Sequence, residues 1–184
     1  MTGALVAHAF ASAGIDTTVL EGGVAGHGST AASSALLMQE PDLGLAELAH
    51  HYGTRGSRRI WQMSRDSAQG LVTLLQRLKI ACDVKRSDAI HYATDAKAVA
   101  RLRAEYEFRD RCGFDATWLG PGALRRSTGI SGRGAIRTHG SAQFDPYRLP
   151  WRSAGRQRRR GTDIRTVARP AHRDRRRSGS PVHA

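Results

Sequence analysis

Cysteine is nearly missing from this 184-residue chain, with Cys82 and Cys112 its only two. At that spacing they form neither a zinc-ligand pattern nor a disulfide framework. They read as small buried apolar side chains in a reducing, cytoplasmic setting. Long hydrophobic runs are absent too. No stretch approaches the roughly 18 apolar residues of a membrane-spanning helix, and the first residues lack the basic flank and apolar core of a secretory signal. Aromatic residues make up only 6%, so no stacking platform for bases accompanies the arginines. Acid is scarce as well, with 16 Asp and Glu against 29 Lys and Arg and a net charge of +13.

The charge imbalance is local. Residues 151–184 carry eleven arginines, no lysine and two acids, Asp163 and Asp174, and so hold nine of the thirteen net positive charges. Trp151, Ile164 and Val167 are the only large apolar residues there before Val182, and no helical or strand period runs through the segment. Such a composition cannot offset its ordering entropy, and 151–184 is expected to be a disordered basic tail. Its runs at 156–160 and 173–177 suit non-specific binding of polyanions, which makes an Arg-rich nucleic-acid-binding protein the alternative reading of the chain. The abrupt start of an arginine-only, Gly/Ser/Pro/Ala-rich stretch also suits translation in a shifted frame.

Residues 2–39 are the informative part. Gly3 opens an alanine-rich helix predicted over Thr2–Ala13, with apolar or small residues almost all round and Gly14 closing it. Thr17–Leu20 is a short β-branched strand ending in Glu21. A Gly/Ser/Thr-rich loop follows, and Ser29 or Thr30 is placed to cap a further helix through Leu37. Helix, strand and terminal acid form the back half of a dinucleotide-binding βαβ unit, in which the acid holds the ribose and the pyrophosphate rests on the glycine-rich turn. Of the three glycines of that turn only the last has a counterpart, Gly3. The preceding strand has none.

Farther along, Leu43–Lys79 is the longest helical region, broken near Gly53–Gly56. It carries an apolar stripe through Ile60, Trp61, Met63, Ala68, Leu71, Leu74, Leu75 and Leu78. Residues 82–85 and 89–93 are predicted as two strands of a hairpin turning at Ser87-Asp88. Asp95 caps a helix to Arg111 with Val99, Leu102 and Tyr106 on one face. Gly120-Pro121 opens a short helix to Ser127, and residues 134–138 form one more strand. Arg55, Arg58 and Arg59 line a solvated helix face.

With the loop in view, the chain resembles the N-terminal part of the FAD-dependent oxidoreductases of the D-amino-acid oxidase and glycine oxidase group. The likeness rests on T-G-A-L-V-A-H-A at 2–9, A-G-I-D-T-T-V-L-E at 13–21, G-H-G-S-T-A-A-S-S-A-L-L at 26–37 and A-Q-F-D-P-Y-R-L at 142–149. It implies an α/β fold: an incomplete Rossmann-like FAD-binding domain over residues 1–150, its first strand missing, followed by the basic tail. By resemblance Gly3 is the last phosphate-turn glycine, and Glu21 holds the adenosine ribose. Gly28, Ser29 and Thr30 lie near the pyrophosphate and ribityl chain, while Ala31, Ala32 and Ser33 belong to a helix start passing the flavin. Phe144-Asp145-Pro146 leads into a structural helix.

Complete members of the group oxidise the CH–NH bond of small amine or amino-acid substrates with FAD. The catalytic groups of that chemistry fall beyond residue 149, so none is assigned. The chain reads as a truncated fragment that is not catalytically competent. None of its eight histidines forms a metal pattern: His50-His51 are adjacent, not i, i+4, and His27 stands in the flavin-like loop without a visible partner.

Overall fold

A computed structural model describes residues 1–24 and 26–145 together with the backbone of Thr162–Thr166. The α/β class expected from the sequence holds. The described chain falls into two units, one formed by residues 1–32 with the strand at 162–166, the other beginning at Ser33.

In the first unit, helix α1 (Thr2–Ser12) ends through Ala13 and Gly14, whose φ of +79° is the left-handed closing conformation that favours glycine. Strand β1 (Thr17–Glu21) follows and pairs in parallel with β6 (Thr162–Thr166), Val19 opposite Ile164. Within 151–184 this strand is the described part. The arginine runs at 156–160 and 173–177 lie outside the described residues, as do Pro146 and the helix expected after it.

Residues 26–32 form turns rather than the expected helix. Ala31 and Ala32 N–H both donate to Gly28 O, Ala35 takes a φ of +56°, and Leu36–Leu37 becomes strand β2. Pairing of β2 with a later strand satisfies these backbone groups outside any helix, a tertiary choice that local propensity could not register.

The second unit is built on strand β5 (Gly134–Gln143). Strand β3 (Lys85–Ala93) runs antiparallel along one edge of it, while β2 and β4 (Thr117–Leu119) share the other. The predicted hairpin at Ser87-Asp88 is therefore corrected: β3 is one strand, and its register shifts there because Ser87 faces Ser141 whereas Asp88 faces His139, leaving Gly140 unpaired. Both halves of β3 pair with the same partner, so no turn is needed, and the irregularity is a bulge on β5.

Helix α2 (Leu45–Arg77) breaks at Gly53, where φ is +67° and ψ 166°. Its buried positions are Leu45, Leu48, Ser57, Trp61, Ala68, Val72 and Leu75. Met63, expected in the apolar stripe, is exposed, since two positions beyond Trp61 it stands across the helix. Helix α3 (Ala96–Arg111) starts as predicted, with the Asp95 carboxylate accepting from Ala98 N–H at 2.8 Å, and α4 (Pro121–Thr128) stops at Gly129. One core cluster joins Leu45, Leu48 and Trp61 to Cys112 and Phe114. A second joins Leu119, Leu124 and Ala135.

Candidate functional site

Sequence places Gly3 in the first turn of α1, Glu21 at the carboxyl end of β1, and Gly28 to Ala32 in the turns after it. Folding brings two of these pieces together: the Met1 nitrogen donates to Thr30 Oγ1 at 3.1 Å, so the loop lies against the amino end of α1. That helix has no side-chain cap, and its first i to i−4 bond is Leu5 N–H to Met1 O, which leaves the earlier N–H groups open. A Cβ built on Gly3 or on Gly28 meets nothing within 4 Å. Glu21 Oε1 accepts from Gly23 N–H at 3.1 Å, which turns the carboxylate over the loop. Open helix-terminal N–H groups, a hydroxyl, two bare glycines and a strand-end carboxylate make a donor and acceptor set that fits a diphosphate and a ribose. Ser33 falls in the second unit, where its Oγ accepts from Ala35 N–H at 3.1 Å.

The second unit holds polar groups that no sequence window could pair. Glu40 is 6% exposed and Arg109 3%. Glu40 Oε1 accepts from Arg109 Nη1 at 3.0 Å and from the Thr138 hydroxyl, and His91 Nε2 stands 2.7 Å from Glu40 Oε2. Burial alone would raise the Glu40 carboxyl. The His91 hydrogen bond, the Arg109 charge, the Thr138 hydrogen bond and the His91 charge together outweigh it and hold the carboxyl down at about 2. Arg109 also donates through Nε to Glu105 Oε1 at 2.7 Å, and its guanidinium lies 4.6 Å from the Trp61 ring centroid. Glu105 in turn accepts from Leu45 and Ala46 N–H at 2.8 and 2.9 Å, so α3 supplies the cap that Gly44 cannot give α2.

Beside the β5 bulge a cleft of about 500 Å³ is lined by Gln39, Arg65, Gln69, Asp88, His139 and Gly140, with Arg86, Ser87 and Asp115 at its walls. His139 Nδ1 is 2.6 Å from Asp88 Oδ1, and Gln39 donates to the His139 carbonyl. None of these residues was singled out in the sequence as functional. Their partners lie 51 to 100 positions apart, and the only local hint was the Gly140 position itself.

His27, His50 and His51 are exposed, and the T-shaped contact between His50 and His51 is with each other. Cys82 and Cys112 are buried free thiols, and burial raises the Cys82 thiol. Arg55, Arg58 and Arg59 are exposed, at the wall of a second cleft of about 650 Å³. Among the described residues no helix is long and apolar enough to cross a membrane, and no group of three or more potential ligands is placed to hold a metal.

Comparison with known proteins gives a family model described as DAO, FAD dependent oxidoreductase, matching residues 1–183. No curated protein matches significantly. Among solved structures, glycine oxidase from Geobacillus kaustophilus is similar at a TM-score of 0.57 and 18% identity, over 81% of this chain and 39% of that one. L-Amino acid deaminase from Proteus myxofaciens, in complex with anthranilate, matches at 0.55 and 19%, over 88% and 35%. L-proline dehydrogenase from P. horikoshii matches at 0.55 and 16%, over 78% and 35%. The chain thus spans about two fifths or less of the length of these structures.

Proposed function

From the FAD-dependent oxidoreductase family, to which this chain belongs, we propose that residues 1–150 are the part of an amine or amino-acid oxidoreductase that receives the adenosine and diphosphate of FAD. The observation that carries this reading is the meeting of the uncapped α1 terminus with Thr30. Its open N–H groups and the Thr30 hydroxyl donate to the diphosphate, and Gly3 and Gly28 leave room for it to approach. Glu21 accepts from the ribose hydroxyls, with Gly23 N–H orienting the carboxylate. Ser29, Ala31 and Ala32 supply backbone and small side chains along the rest of the cofactor. FAD, when bound, supplies a two-electron acceptor for the C–H bond beside a substrate nitrogen. This chain by itself holds cofactor without turning substrate over.

The test is a titration of FAD with the purified full chain, followed by flavin fluorescence. Saturable quenching is expected, weakened about tenfold or more in Glu21→Ala, since one lost charge-assisted hydrogen bond costs 1.5–3 kcal/mol. Titration without saturation refutes cofactor binding. Reduction of a dye acceptor by the chain with any amino acid would refute the lack of turnover.

A further inference from the structure

Arginines on the two long helices are matched unevenly. On α3, Arg103 and Arg109 each have an acid one turn away, Glu107 at 3.4 Å and Glu105 at 2.7 Å. On α2, Arg55, Arg58 and Arg59 stand on one face at spacings of three and four, where like charges repel, and no acid lies within a turn of any of them. All three are exposed, and none makes an ion pair, a hydrogen bond or a ring contact among the described residues. Together they line part of a cleft of about 650 Å³ whose lining contains no acid. The rest of the lining includes Cys112, Gly113 and Phe114, just past the end of α3. Cys112 and Phe114 are buried in the core cluster of Trp61, so this wall is apolar and held in place. Gly113 between them has a φ of +78°, and a Cβ there meets nothing within 4 Å. Charge of one sign beside an apolar wall concentrates the field and draws in a counter-ion.

We propose that this cleft binds a diphosphate, either free or as the end of a nucleotide. The planar forks of Arg55, Arg58 and Arg59 donate in pairs to its phosphoryl oxygens. Side chains one turn apart on a helix are about 5–6 Å apart at Cβ, wider than one phosphoryl group and matched by two that share a bridging oxygen. Gln62, also in the lining, donates through Nε2 to Asp66 Oδ1 at 2.7 Å, so the next acid along α2 is already engaged. The lining comes entirely from the second unit and shares no residue with the set proposed to hold FAD.

Modification of the full chain by phenylglyoxal, an arginine reagent, tests this at near-physiological salt, with each modified site read by mass spectrometry. Pyrophosphate is expected to protect Arg55, Arg58 and Arg59 saturably and to leave Arg125 and Arg126, exposed on α4, unprotected. Arg58→Gln should raise the concentration that half-protects Arg55 and Arg59 by about tenfold or more, as loss of a charge-assisted hydrogen bond implies. Far-ultraviolet circular dichroism establishes that the variant is folded, and Arg58→Lys, which keeps the charge without the fork, is expected to fall between it and the parent. ADP separates the two sources of the ligand. Protection by ADP no tighter than by pyrophosphate assigns the site to the diphosphate alone, and tighter protection assigns it to a nucleotide whose nucleoside lies along Phe114; either upholds the proposal. Orthophosphate protecting as well as pyrophosphate overturns it. So does protection that does not saturate, equal protection of Arg125, Arg126 and the arginines of 151–184, or an unchanged half-protecting concentration in Arg58→Gln.

Discussion

Glu40 shows what a single residue contributes here. Its carboxylate ties the segment after β2 to β3 through His91, to β5 through Thr138 and to α3 through Arg109, and Arg109 passes the tie on to Glu105 and the start of α2. Two buried charges in such a pair gain little over an apolar pair of the same shape, but removing one strands the other. The folded carboxyl titrates at about 2 against an ordinary value of 4.5. A lowered value means the folded form binds its proton less readily than the unfolded form. The stabilisation is therefore full above the ordinary value and disappears as pH falls through the folded one. The shift corresponds to roughly 3 kcal/mol. Glu40→Gln is expected to lower stability at neutral pH by about that amount, and to remove the part of the acid-induced loss that falls between the two values. Urea denaturation across that range checks it, and an unaltered acid slope in the variant would mean that Glu40 is not the group responsible.

At the scale of elements, two glycines do different work. Gly53 lets α2 change direction, and a Cβ there meets nothing within 4 Å. Gly140 carries both a left-handed φ and a neighbour at 2.6 Å. Gly53→Ala should cost about 1–3 kcal/mol, because a φ of +67° with a ψ of 166° is a backbone conformation open to almost no residue but glycine. Gly140→Ala should cost more, about 2–4 kcal/mol, because strain and the displacement of buried Gln39 add. Thermal unfolding of the two variants side by side checks the order. If Gly53→Ala proved the more damaging, the bulge would not be held by the contact with Gln39. The same strand explains why the hairpin expectation failed. Ser87-Asp88 carries turn-compatible residues, but the pairing partner of both flanks is β5, some fifty positions away.

Across the whole chain the two units differ in what they bury. Ala7 is the one buried residue described in residues 1–32, whereas Leu5, Val6, Phe10, Ile15, Leu20 and Val24 are exposed. The two core clusters built on Leu45 and on Leu119 lie in the second unit. Local opening is easiest where few apolar contacts oppose it. Thermolysin, which cuts before apolar residues, should therefore remove residues 1–32 first and leave a protected fragment that starts near Ser33. Mass spectrometry of the early products checks this. Early cleavage inside α2 or β5, with residues 1–32 intact, would reverse the assignment of stability to the second unit.

Local chemistry was enough for much of this protein. Small residues and Gly14 delimit α1, β-branched residues make β1, Asp95 caps α3, and Gly120-Pro121 starts α4, because each signal acts within one turn or one strand. The motifs at 2–9, 13–21 and 26–37 likewise sufficed to identify the family, and the α/β class with them. What only the tertiary structure decided is everything that depends on partners far away in sequence. Leu36–Leu37 is a strand because β5 is beside it, and Glu40 is ionised in a buried place because His91, Arg109 and Thr138 reach it from 51, 69 and 98 residues away. Gly140 is unpaired because β3 and β5 are out of step by one residue. Charge, hydrogen bonding and register act through space, and a one-dimensional pattern records only the neighbours that the chain itself supplies.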